Sequence, residues 1–256
     1  MTVSVTYGDD KYENSSYTIP NKVENKGDTY YVTGIANYAF SGCTNITSIS
    51  FESDTYVRTI GDYAFSGCNS LTRITIPSNV TSIGNYAFSG CFTLKNVTIE
   101  DATTTLSLGY GSTRGSSYGL FADASLSYFY WGRPLSYNTS YGYSPIANQT
   151  KLSNIEIGPN VTTITAYMFY GNTAITSIEL PTTVTSLGGH AFHGFTGLKS
   201  FTIPENITSI GEYAFAGCTN LTSITIPKWI TTINKGLFSG CTGLTSFTIP
   251  GHVTSI

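Results

Sequence analysis

Charge is what this 256-residue chain has least of. Asp, Glu, Lys and Arg make up 11% of it, against about 25% in ordinary soluble domains. With a net charge of −3 and no run of Lys or Arg, a surface built for nucleic acid or anionic lipid is excluded. No apolar stretch approaches the ~20 residues of a membrane-spanning helix, so no membrane span is expected. The opening MTVSVTYGDD has neither a basic nor an apolar leader region, and no signal peptide is read there.

Catalytic signatures are equally scarce. Neither G-x-x-x-x-G-K-[ST] nor C-x-x-C occurs. G-S-S-Y-G (115–119) fits the nucleophile pattern on Ser117, but that chemistry needs a strand before it and a helix after it. Here it sits in a Gly/Ser/Tyr loop of a chain with three histidines, and a loop is the reading taken. His190 and His193 form H-x-x-H without a nearby carboxylate or thiolate to complete a metal shell. No metal or cofactor is expected.

What the chain does have is a beat. Phe40, Phe65, Phe88, Phe121, Ile146, Phe169, Phe192, Phe215 and Phe238 follow one another at steps of 25, 23, 33, 25, 23, 23, 23 and 23. A fixed period in this range marks a solenoid, whose short units bury their apolar sides only against their neighbours. In LTRITIP (71–77), Leu71, Ile74 and Ile76 point inward while Arg73 and Thr75 point out. That alternation describes a short parallel strand, ended by Pro77, which cannot donate to a ladder. Val80 and Ile83 then bury on an opposite wall, and NYAFSGC (85–91) is expected to form a 3₁₀ or helical corner. The fold class is therefore a mainly β repeat solenoid of about nine units of ~23 residues. Residues 1–34 fit the repeat poorly and read as an N-terminal cap, with the solenoid running over 35–256.

Cys43, Cys68, Cys91, Cys218 and Cys241 all stand three residues after the repeat phenylalanine, where other units carry Ala124, Gln149, Asn172 and Phe195. Stacked units hold equivalent Cα atoms about 4.8 Å apart, within disulfide range, but parallel Cβ vectors make the bond geometry poor. Small buried fillers are expected instead. Asn-x-Ser/Thr recurs from Asn14 to Asn220, largely because the repeat favours N-V-T and N-L-T at fixed turns.

The stretch IGDYAFSGCNSLTRITIPSNVTSIGNYAFSGC resembles the BspA-like leucine-rich repeats, whose unit reads close to I-G-x-x-A-F-x-x-C-x-x-L-x-x-I-x-I-P-x-x-V-x-x. The resemblance covers about residues 35–256. It implies a curved or twisted solenoid with a parallel sheet along one face. It also implies an extracellular or cell-surface protein that adheres to or binds host proteins, without catalytic residues or a cofactor.

Function is then sought where the repeat breaks. Ten extra residues enter after Ile99, and an irregular, Tyr-rich insertion spans 100–145. Insertions in solenoids map to loops on one face, often the binding face. Outward strand positions form a hydroxyl carpet except at Tyr128 and Tyr130, bordered by Arg73 on one side and by Glu156 and Glu179 on the other. Tyr and Arg anchor interfaces. These five, with Tyr110, Tyr118 and Arg133 of the insertion, are the candidate binding residues for a protein or carbohydrate ligand. Glu156 and Glu179 are expected to face one another on adjacent strands; no cleft makes them a glycosidase pair. Trp131 is assigned inward by register. The last unit stops incomplete at VTSI, which reads either as a cut from a longer array or as an end that docks. In the second case Val253 and Ile256 would meet the TVSVTY strand, through Val3 and Val5, of another copy. Such heterologous head-to-tail contact propagates into a fibre or surface layer, the alternative to a binding module.

Overall fold

The computed structural model describes residues 1–6, 14–111, 119–139 and 144–256. They form a solenoid of parallel strands with two walls. The first wall is built from β2 (Ser16–Ile19), β5 (Ser48–Phe51), β7 (Arg73–Ile76), β9 (Asn96–Ile99), β11 (Tyr128–Trp131) and β13 (Asn154–Ile157), paired in that order. The second wall runs through β1 (Thr2–Val5), β4 (Asp28–Ile35), β6 (Thr59–Ile60), β8 (Ser82–Ile83), β10 (Leu106–Leu108) and β12 (Leu135–Ser136). A hairpin strand, β3 (Lys22–Asn25), lies antiparallel to β4. Beyond them, β14 (Thr163–Ile164), β15 (Ser186–Leu187) and β17 (Ser209–Ile210) continue the second wall, while β16 (Ser200–Thr202) and β18 (Ser223–Thr225) pair on the first.

Register is strict because each strand buries alternate residues. Arg73 pairs with Asn96, Ile74 with Val97, Thr75 with Thr98 and Ile76 with Ile99. Ile74 and Ile76 are buried while Arg73 and Thr75 are exposed. A one-residue slip would turn the whole apolar set outward. Between the walls lies one continuous core, in which Phe40, Phe65 and Phe88 stack at 5.3 Å centroid spacing. Ile146 is buried in the position that phenylalanine takes elsewhere.

The corners differ from expectation. Among the described residues there is no helix; each corner is a succession of turns. Tyr38, Tyr63, Tyr86, Tyr167, His190 and Tyr213 adopt φ between 55 and 62°, which no helix tolerates. Their neighbours instead donate backbone hydrogen bonds to the next unit: Phe65 N to Ala87 O at 2.8 Å and Gly67 N to Ser89 O at 2.7 Å. The corner is thus a third ladder between units. A left-handed tyrosine costs roughly 1–2 kcal/mol. Here the rings repay part of that by stacking, Tyr63 lying 4.9 Å from both Tyr38 and Tyr86. Gly84 is required for a different reason, since a Cβ there would meet Asp62 N at 2.6 Å and Gly61 C at 2.7 Å.

All five cysteines are free and buried. They are more than filler: the thiols of Cys68, Cys91, Cys218 and Cys241 donate to Phe40, Phe65, Phe192 and Phe215 carbonyls at 3.0–3.2 Å. Gln149 takes the same role through Nε2, 2.9 Å from Phe121 O. Of the proposed assembly residues, Val3 and Val5 are half-buried on β1, which pairs with β4. Val253 packs against the core, and Ile256 is exposed. The segment preceding Ile256 bridges Thr232 to Ser255 in parallel, extending the second wall.

Candidate functional site

The outward face of the first wall carries the site. On β11, Tyr128 sits beside Asn96 and Asn154, and Tyr130 sits beside Thr98 and Glu156. Their ring partners alternate inward: Phe129 and Trp131 are fully buried, as the register required. The Tyr130 hydroxyl donates to Asp101, 3.0 and 2.9 Å from its two carboxylate oxygens. Partial burial, then this carboxylate, pushes the Tyr130 phenol up to about 12. Partial burial and the nearby Glu156 carboxylate push the Tyr128 phenol up as well. Both phenols are therefore neutral, and Asp101 holds Tyr130 in place. They present fixed aromatic surface with little rotamer freedom left to lose on binding.

Two hollows flank this ridge. One, of about 600 Å³, is lined by Ser48, Ser50, Glu52, Arg73, Thr75 and Glu100 among others. The other, of about 480 Å³, is bounded by Tyr130, Asn154, Glu156, Ser177 and Glu179. Arg73 thus lies on the same face but two strands from the tyrosines, with β9 between. Glu156 and Glu179 share a hollow, yet they are not opposed on adjacent strands, because 177–180 forms no strand. The ladder lapses there, and the hollow occupies the gap.

Arg133 does not belong to the site. It is fully buried, its guanidinium donating to Ser78 O at 2.7 Å and Pro77 O at 3.0 Å. The chain past β11 carries it under the end of β7, where it caps the Ser78 carbonyl and adds a second bond to that of Pro77, which also accepts from Val80 N at 3.0 Å. Burial lowers its pKa, with Glu100 opposing. A strut in that place cannot reach a ligand. Tyr110 is exposed but stands just past β10 on the second wall, its hydroxyl accepting from Asn138 Nδ2 at 2.9 Å. Tyr137 is drawn inward and donates to Ala166 O at 3.1 Å. The aromatic cluster read along the sequence is therefore dispersed over both walls and the core. Tyr118, Tyr141, Tyr143 and Ser117 lie outside the described residues.

The histidine pair forms something that sequence reading missed. His190 and His193 meet through their Nδ1 atoms at 2.9 Å, and His190 is stacked between Tyr167 and Tyr213 at 4.6 and 5.0 Å. Burial lowers both pKa values. His190 occupies the left-handed corner position, so the signal was available: it stands where other units carry tyrosine. Among the described residues no group of three metal-ligating side chains occurs.

A family model described as "BspA type Leucine rich repeat region" matches residues 13–110 and 140–256, in six copies. Among solved structures, the chain is similar to a leucine-rich repeat protein from Bacteroides ovatus, at 27% identity and a TM-score of 0.54. That match covers 90% of this chain and 62% of the other, so the chain spans under two thirds of that relative. A leucine-rich cell surface protein from Faecalibacterium prausnitzii matches at 20% identity and TM-score 0.46, covering 95% of this chain and 78% of that one. The pneumococcal vaccine antigen PcpA matches at 20% and 0.48, covering 94% and 67%. No match was found among the curated proteins.

Proposed function

Because the chain belongs to the BspA-type leucine-rich repeat family, we propose that it is a non-enzymatic interaction module acting at a cell surface. In this reading it holds a protein or glycan partner on the outward face of its first wall, centred on Tyr128 and Tyr130. One observation carries the reading. Both outward positions of β11 bear aromatic rings, Tyr130 braced by Asp101, where the other first-wall strands offer Ser, Thr, Asn, Arg or Glu. Rigid, partly desolvated tyrosines are the kind of anchor on which interface energy concentrates. The hollows on either side, lined by Arg73 and Glu52 on one flank and Glu156 and Glu179 on the other, supply polar contacts at the rim.

The test is an array of glycans and extracellular host proteins probed with the intact protein and with a Tyr128→Ser/Tyr130→Ser variant. Both replaced side chains point outward, so the variant should still fold and melt cooperatively, at a temperature lowered by the lost Tyr130–Asp101 bond, while losing capture at least tenfold. Undiminished capture by the folded variant contradicts the assignment.

A further inference from the structure

The second wall carries an irregularity that the first-wall site does not explain. At the turn that leads into the second wall, several units staple themselves to the one before through a polar side chain, although Tyr31 and Tyr56 hold that position in the earliest units and pack on each other at 5.0 Å. Asn79 Nδ2 donates to Thr55 O at 2.7 Å, Asn160 Nδ2 to Gly132 O at 3.5 Å, and Asn206 Nδ2 to Thr182 O at 2.6 Å. Thr183 donates to Val161 O at 2.8 Å, and His252 Nε2 lies 3.1 Å from Pro227 O. In the unit PKWITTIN the same position is Trp229. The staple is given up for an indole that is 59% exposed. The position demands no aromatic ring, since its two neighbours, Asn206 and His252, keep a polar contact to the unit before.

Trp229 forms one wall of a hollow of about 140 Å³, shared with Thr208, Ser209, Thr231, Thr232 and Asn234. That is far below the roughly 300–1,000 Å³ of sites for drug-sized ligands, and suits a single ring. Thr208, Ser209, Thr231 and Thr232 are exposed. The Lys228 ammonium lies 4.8 Å from the indole centroid. An aromatic face beside a row of hydroxyls and one ammonium matches one chemistry. The apolar C–H face of a pyranose packs on the electron-rich indole face, while its hydroxyls exchange hydrogen bonds with Ser and Thr.

We propose that Trp229, with Ser209, Thr231, Thr232 and Lys228, forms a subsite for one pyranose ring of a glycan on the second wall. It is separate from the Tyr128/Tyr130 face and stands or falls without it. The natural control is Trp229→Asn, which restores the residue that other units use and is expected to fold at least as well. The probes are methyl glucopyranoside, methyl galactopyranoside and N-acetylglucosamine, titrated while the Trp229 indole N–H is followed by NMR. The other indole, Trp131, is buried and donates to Arg133 O, so it serves as an internal reference. At least one sugar should shift the Trp229 resonance and leave Trp131 still. On a glycan array, Trp229→Asn should lose capture of glycans bearing that sugar at least tenfold, while Tyr128→Ser/Tyr130→Ser keeps it. No shift with any of the three sugars, or equal array capture by Trp229→Asn, overturns the proposal. A concentration-dependent dimer dissolved by Trp229→Asn, with no sugar response, overturns it in favour of a second copy as occupant.

Discussion

Phe88 lies between Phe65 and Phe121, with ring centroids at 5.3 and 5.1 Å, and has no exposed surface. Its truncation to alanine opens a cavity between units that the ladders on either side prevent from collapsing, and should cost about 3–5 kcal/mol. The adjacent Ser89 donates to Asp123 Oδ2 at 3.2 Å, so Ser89→Ala should cost only about 1 kcal/mol. Comparable losses in denaturant unfolding would mean that the inward face is misassigned. The thiols make a second residue-scale case. Burial raises Cys91 from 9.0 to about 12, so the folded state favours the protonated thiol. That contribution is complete below pH 9 and is lost as pH rises from 9 towards 12. The melting temperature should therefore fall above pH 9. At neutral pH, thiol reagents should label the native protein slowly and find five thiols after denaturation; fewer than two would show an oxidised ladder.

At the scale of the element, the corner decides more than the strand. Strands were legible because period-two patterns such as Leu71, Ile74 and Ile76 have one physical meaning. The corners were not, because a tyrosine gives no sign from sequence of a left-handed φ, nor of being paid back by the tyrosine above and below it. Tyr63 tests this balance. Tyr63→Ala keeps the strained φ of 56° and loses stacking on Tyr38 and Tyr86, for a cost of about 2–3 kcal/mol. Tyr63→Gly loses the same stacking but relieves roughly 1–2 kcal/mol of left-handed strain, so it should be the milder change. Equal losses in thermal melts would contradict the account. Arg133 was misread for a related reason: a charge beside tyrosines reads as surface until the chain is seen to carry it beneath Pro77. The strand between β13 and β16 also failed to form, although Ile178 and Leu180 keep the inward pattern and pack against the core.

Across the whole molecule, repetition supplies the scaffold and departures from it supply the chemistry. The period announced the solenoid and put Tyr128 and Tyr130 on one outward row, which the structure bears out in position. It did not show that Asp101, on the loop after β9, braces one of them, because that contact joins residues 29 apart through an irregular insertion. Trp229 stands where Asn79, Asn160 and Asn206 staple their units, and its meaning needed those contacts, which the sequence alone does not display.

A partner held on the first wall would leave a footprint there when the protein is loaded. Hydroxyl-radical oxidation, which does not require the phenolate, would be mapped by mass spectrometry before and after saturation with whichever array ligand the Tyr128→Ser/Tyr130→Ser variant fails to capture. Tyr128 and Tyr130 should become protected, while Tyr38 and Tyr56, exposed at 54% and 45%, react as before. Protection at the corner tyrosines with Tyr128 and Tyr130 unchanged would contradict that placement.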